Sequence, residues 1–232
     1  MSKPVAVVVG VGPGLGSALA RRFAEGGMAV AVARRRPEEL SGLAEETGGR
    51  AYACDATDAG AVEALFQEVE RDLGPPTLVA FNAGAYQRGG ILEIEPEDFE
   101  RCWRNGCLGG FHVGQAAAKR MVPAGRGTIL FTGATASLRG SAGFMNLAMP
   151  KFGLRAVAQS MARELGPQGI HVAHVIIDGQ IAGERPGYRP EERGEDALLA
   201  PAAIAEAYWQ LHLQPRSAWT QELDLRPWVE KF

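Results

Sequence analysis

Residues 5–16 read VAVVVGVGPGLG, and the helical pattern Ser17 to Phe23 follows at once. A strand buried on both faces of a parallel sheet needs an unbroken apolar run, and Val5–Val9 supplies one rich in valine. Gly10 opens a turn whose dihedrals are closed to most other residues, while Gly14 and Gly16 leave room for a pyrophosphate and for helix to pack on strand. The helix that begins there offers unpaired N–H groups and the positive end of its dipole, which makes the unit an anion site suited to a dinucleotide. A glycine cluster by itself is an ordinary turn. Strand before and helix after are what give this one a ligand.

Outward from that turn the chain keeps one rhythm. MAVAVA at 28–33, Ala51–Cys54, Thr77–Phe81, Thr128–Thr132 and Ile170–Ile177 read as further strands. Helical stretches separate them. One is expected to open at Pro37, and Val62, Leu65, Phe66, Val69 and Leu73 form one apolar stripe on a helix that Asp58 can cap. Phe99–Met121 and Phe152–Leu165 are predicted as two more. Parallel neighbours need crossovers, so this alternation implies an α/β fold with a doubly wound, mainly parallel sheet and helices on both faces. The irregular stretch 182–201, rich in Gly, Pro, Arg and Glu, follows the sixth strand. Ligands bind beyond the carboxyl ends of such strands, so it reads either as a lid over substrate or as a solvated loop.

Composition narrows the class. With 232 residues, 46% of them hydrophobic, the chain suits one domain with a large core. A net charge of −3, from 24 basic and 27 acidic residues, speaks against a nucleic-acid surface. Cys54, Cys102 and Cys107 are odd in number and contain no CxxC pair, which suggests neither disulfides nor zinc. His171 and His174 lie three apart on a strand and so face opposite ways, and no metal is expected. The start MSKP runs straight into a strand and no stretch is long enough to span a bilayer, so a cytoplasmic protein is the expectation.

Four stations appear in order: the turn Gly10, Gly14, Gly16; Asp55 after the third strand; Asn82-Ala83-Gly84 after the fourth; and Lys151 in the later helical region. Together they resemble the short-chain dehydrogenase/reductase family, over Val5 to about Leu225. The resemblance implies a single Rossmann-type domain with a seven-stranded sheet and NAD(P)(H) bound across the strand ends. It implies cofactor contacts from Gly10, Gly14, Leu15 and Gly16, from Asp55 and Ala56 near adenine, from Asn82, Ala83 and Gly84 near ribose, and from Lys151 and Ile181. It also implies a small-molecule substrate and a homodimer or homotetramer. The aromatic C-terminal segment with Trp209, Trp219 and Trp228 would contribute to such an interface or to the core.

Cofactor choice has a physical handle. A carboxylate ending the second strand would bond the ribose hydroxyls of NAD and repel the 2′-phosphate of NADP. Ala33 stands there, followed by Arg34 and Arg35, whose planar donor forks suit phosphate, so NADP(H) is favoured over NAD(H). The arginines otherwise read as a solvated helix entry.

The family's catalytic set of Asn, Ser, Tyr and Lys survives only in Lys151. Four residues before it stands Leu147, which has no ionisable proton to give an alkoxide, and the serine and asparagine positions align with Ala134 and Gly106. Asn105, Thr135 and Asn146 each sit one residue from a missing member, but a one-residue slip turns a side chain away. Ser137, Asn146 and Tyr86 are weaker candidates, Ser137 and Tyr86 with plain readings as a turn hydroxyl and a loop aromatic. Pro150 is expected to delay the start of its helix, Asp178 replaces the proline usual after the sixth strand, and Gly183 a threonine. Three functions fit this pattern. One is an NADP(H)-dependent oxidoreductase reducing an activated C=C, C=N or carbonyl group. The others are a non-redox isomerase, cyclase or lyase, and an inactive NADP(H)-binding pseudoenzyme.

Overall fold

The computed structural model describes residues 3–183, 194 and 196–230. Seven strands form one sheet in the order β3-β2-β1-β4-β5-β6-β7, and every neighbouring pair is parallel. They are β1 (Val5–Val9), β2 (Ala29–Arg34), β3 (Arg50–Ala53), β4 (Pro76–Phe81), β5 (Gly127–Thr132), β6 (Ile170–Ile177) and β7 (Glu222–Leu225). The helices are α1 (Leu15–Glu25), α2 (Ser41–Thr47), α3 (Ala59–Asp72), α4 (Pro96–Trp103), α5 (Gly109–Met121), α6 (Met145–Leu165) and α7 (Pro201–Leu213). The reversal of strand order at β1 and β4 opens a crevice at their carboxyl ends, where such sheets bind ligands.

Strand side chains alternate between two separate cores. Val5, Val7, Val9, Phe81, Ile129 and Phe131 pack with Leu65 and Phe66 of α3, Val113 of α5 and Leu154 of α6. Ala6, Val8, Val32, Leu78 and Leu130 face the other way, onto Leu19 and Phe23 of α1 and Tyr208 of α7. The fully buried Tyr208 hydroxyl is satisfied by Thr132 Oγ1 at 2.8 Å. Asp58 caps α3 by accepting from the N–H groups of Gly60 and Ala61, at 2.7 and 3.2 Å.

Three predicted elements come out differently. The turn at Pro37 is a short 3₁₀ segment before α2. The helix expected over Phe99–Met121 is two helices joined by a wide π-type turn at Arg104–Leu108. Pro150 does not delay α6, which begins at Met145 and carries the proline inside it. The first turn of α6 is anchored on Phe144, whose carbonyl accepts from Leu147 N and Ala148 N at 3.0 and 2.9 Å. The proline ring faces Gly106 across the helix pair, so closely that a Cβ on Gly106 would lie 2.8 Å from Pro150 Cβ. Tertiary packing thus outweighs the local cost of the missing N–H. Most of the 182–201 segment, read as lid or loop, lies outside the described residues; its flanks meet in a bridge between Ile181 and Leu199.

Candidate active site

The crevice at the carboxyl ends of β1–β4 is a cavity of about 660 Å³. Its wall is formed by Val9–Gly12, Arg34–Arg36, Cys54–Ala56, Asn82–Gly84 and Asn105. Gly10 has φ +90°, and a Cβ there would stand 2.3 Å from Ala83 N, so the turn after β1 and the turn after β4 touch backbone to backbone. Asn82 fastens the junction, its Nδ2 donating to Gly10 O at 3.0 Å. Ser17 donates its hydroxyl to Gly12 O at 2.7 Å, which fixes the loop at the head of α1. Gly12 and Gly14 have open space where a Cβ would be.

The charges on this wall differ in how far they are engaged. Arg34 and Arg36 both pair with Glu39, each at 2.8 Å. Arg35 forms no ion pair among the described residues and lines the same cavity as Asp55, on whose carboxyl its charge acts. Burial would raise the Asp55 carboxyl, but bonds from Thr57 N and Oγ1, at 2.9 and 2.8 Å, and the nearby Arg35 and Arg104 guanidiniums hold it below its ordinary value. A cavity with a glycine cradle at one turn, a guanidinium without an ion pair among the described residues and an ionised carboxylate suits a dinucleotide. Of the residues predicted to hold the cofactor, Gly10, Arg34, Arg35, Asp55, Ala56, Asn82, Ala83 and Gly84 line this cavity, while Gly14, Leu15, Gly16, Lys151 and Ile181 do not. Val9, Val11, Gly12, Arg36, Cys54 and Asn105 also line it without having been predicted to hold cofactor. The first five stand in or beside stretches already singled out. Asn105 enters only through folding, since Gly109 lets α5 close on the β3–α3 turn, with its His112 Nδ1 3.1 Å from Ala56 O.

The carboxyl ends of β5 and β6 show the opposite condition. Lys151 is buried on α6 and donates to Thr132 O at 2.6 Å. Desolvation lowers its pKa to about 8. Leu147 stands one turn earlier, half-buried. Thr135 Oγ1 donates to Asp178 at 2.5 Å, and Asp178 in turn holds Arg226 at 3.0 Å. Ser137 is fully buried, its Oγ accepting from Ala134 N at 3.1 Å and lying 3.4 Å from His174 Nε2. Burial pulls His174 down to about 4, so the ring is neutral. Asn146 is buried, and its amide has no hydrogen-bond partner among the described residues. Asn105 donates to Arg101 O at 2.8 Å. Tyr86 is exposed, stacked on Phe144 at 5.5 Å and 9°, with Arg88 over the same ring at 5.2 Å. Of the candidates for chemistry, Lys151 is the buried cation at this end, and Tyr86 is committed to an aromatic platform between two loops.

The family model for short chain dehydrogenase matches residues 4–182. The 3-oxoacyl-[acyl-carrier-protein] reductase MabA of Mycobacterium avium is 33% identical over 181 residues, 77% of this chain and 67% of that protein. A crystal structure of a short-chain dehydrogenase from Rhodopseudomonas palustris aligns with a TM-score of 0.84 and 42% identity, over 97% of this chain and 99% of that one. An alcohol dehydrogenase from Thermococcus sibiricus, solved in complex with 5-hydroxy-NADP, aligns at 0.86 with 26% identity over 98% of both chains.

Proposed function

The chain belongs to the short-chain dehydrogenase/reductase family, and from that premise we propose that it is an NADP(H)-dependent oxidoreductase of small molecules whose active site works without the family's tyrosine. The observation that carries this reading is the cavity of about 660 Å³, with its glycine cradle intact and Arg35 unpaired in its wall. Gly10, Gly12 and the start of α1 would hold the pyrophosphate, and Arg35 the 2′-phosphate. Asp55 would meet adenine and Asn82–Gly84 the adjoining ribose. The Thermococcus relative bound to an NADP derivative supports the same preference over NAD. When bound, NADPH supplies a hydride.

The protein's share is the proton and the fit. Leu147, Ala134 and Gly106 offer no acid or hydroxyl, whereas Lys151 Nζ is protonated at neutral pH with a pKa of about 8, inside the range useful for general acid work. Thr132 O fixes Nζ at 2.6 Å, so the lysine is oriented as well as buried. A weak acid of this kind suits acceptors that need little help, such as activated alkenes, imines already protonated, or carbonyls polarised by their own substituents.

Stereospecifically deuterated NADPH, incubated with a panel of such acceptors, should pass deuterium into product. Absence of transfer across the panel would sink the proposal. A second reading, non-redox chemistry in the same pocket, is favoured by those same three residues at the positions of the family's tyrosine, serine and asparagine. Its sign would be turnover with NADPH absorbance unchanged, and binding without any product would mark a pseudoenzyme.

A further inference from the structure

We infer that a second cavity, at the opposite end of the sheet from the cofactor cavity, is a binding site for a small organic polyanion. It measures about 590 Å³ and lies at the amino ends of β1, β4, β5 and β6, where Val5, Thr77, Thr128 and His171 form its floor. The end of α7, with His212, and the segment after it, with Gln214, Arg216 and Trp219, close one side.

Charge is the first argument. Among the described residues the ionised side chains on the wall are Lys3, Arg126 and Arg216, and no carboxylate lines it, although acidic residues outnumber basic ones in the chain, 27 to 24. None of the three cations forms an ion pair among the described residues; Arg216 Nη2 only donates to Gly125 O at 2.6 Å. Cations that share one wall without a counter-charge repel one another, and an anion that enters relieves that cost.

Shape is the second. The volume approaches that of the cofactor cavity and exceeds what a lone inorganic ion fills. His171 and Trp219 stack coplanar at 4.9 Å and 2°, giving a flat, rigid wall, and His171 is pinned by Thr220 O at 2.8 Å from Nε2. His212 is held by Thr128 Oγ1 at 2.9 Å. Burial keeps both imidazoles toward their neutral forms, so they add shape and hydrogen-bonding capacity while the arginine forks and Lys3 supply the charge. Phosphates and carboxylates share the chemistry these groups recognise.

The test uses the full chain carrying Gly12→Asp and Arg35→Glu, which sets a carboxylate in the glycine cradle and reverses the charge beside it, at a glycine with open space around it and at an exposed side chain with no ion pair among the described residues. Inorganic pyrophosphate and, separately, citrate are titrated calorimetrically into it, and into the same chain with Lys3→Glu and Arg126→Glu added. Both added positions are exposed, so the melting temperature in anion-free buffer should stay put. Binding of either anion, weakened at least tenfold by the added pair, supports the site; pyrophosphate alone would assign it to phosphates, citrate alone to carboxylates. If neither anion binds, or if binding survives the charge reversal, the proposal is overturned.

Discussion

The two halves of the sheet's carboxyl edge have been treated oppositely. Along β1–β4 the groups a dinucleotide needs are left on offer, with Gly12 and Gly14 open and Arg35 unpaired. Along β5 and β6 three polar groups are occupied within the protein, Thr135 on Asp178, Ser137 on Ala134 N and Lys151 on Thr132 O, while the buried Asn146 amide has no partner among the described residues. Pro150 occupies the space in front of Gly106. On the proposed function, one sheet therefore carries a ligand cradle and a remodelled reaction end side by side. Binding and chemistry would then be separable, because the turns that would hold the cofactor and the helix that would hold the acid follow different strands.

The comparison breaks most sharply at the glycine turn. Gly12→Asp meets empty space, so the fold should keep its melting temperature, yet it places a carboxylate where phosphate is to sit, and NADPH affinity should fall on the order of a hundredfold. Gly10→Ala works differently, since its Cβ meets Ala83 N at 2.3 Å and its φ is +90°, so affinity and stability should fall together. Fluorescence titration with NADPH alongside thermal melts separates the two outcomes. Unchanged binding by Gly12→Asp would falsify the cradle.

The other half is probed through Lys151. Its pKa in the folded chain, about 8, lies below the ordinary value of 10.5, so between those limits the unfolded chain binds more protons and stability contributed by this site rises with pH. The maximal slope is about 1.4 kcal/mol per pH unit. Tyr52 and Cys54 are pushed up to about 12 by burial, and Tyr208 is raised as well, so they act in the opposite sense over the alkaline range. Comparison with Lys151→Met cancels those terms. Chemical denaturation at pH 7.5 and 9.5 should show the wild type gaining stability relative to the variant, and a difference independent of pH would mean that the lysine is not desolvated. Turnover, where Lys151 is the acid, should decline above about pH 8.

Pro150 and Gly106 test whether the reaction end has been rebuilt as a unit. Gly106→Asn drives a side chain into the proline ring and should cost about 1–3 kcal/mol as overpacking does. Pro150→Gly removes the Cβ that side chain meets at 2.8 Å, so the double variant should recover at least about 1 kcal/mol over the sum of the single effects. Additive losses would show that the contact is not what keeps asparagine out.

Much of the fold could be read along the chain because local pattern and tertiary demand agree there. Val5–Val9, Ile170–Ile177 and the Asp58 cap needed no knowledge of their neighbours. The misreadings fall where they disagree. Pro150 argues locally for a helix that starts late, and only its packing against Gly106 shows why α6 runs through it from Met145. The π-type turn at Arg104–Leu108 breaks no apolar periodicity, so Phe99–Met121 reads as one helix. The site divides the same way: its glycines and arginines stand in contiguous runs, whereas the place of Asn105 beside the cofactor cavity and the pairing of Thr135 with Asp178 depend on strands far apart in sequence.

The smallest expected effect concerns which arginine reads the phosphate. Sequence alone treats Arg34 and Arg35 alike, but the structure gives Arg34 a carboxylate, Glu39 Oε2 at 2.8 Å, and Arg35 no ion pair among the described residues. A guanidinium already paired must exchange one anion for another, and gains less from a 2′-phosphate than an unpaired one. Arg35→Ala should therefore weaken NADPH binding by about tenfold, some 1.4 kcal/mol, while NADH binding stays nearly level. Arg34→Ala should cost less, and Glu39→Gln should tighten NADPH by releasing two arginines at once. Paired titrations with the two dinucleotides decide it: a larger loss from Arg34→Ala than from Arg35→Ala would mean that Glu39 swings away when the cofactor binds, and that the charge arrangement of the empty cavity is not the one that selects its ligand.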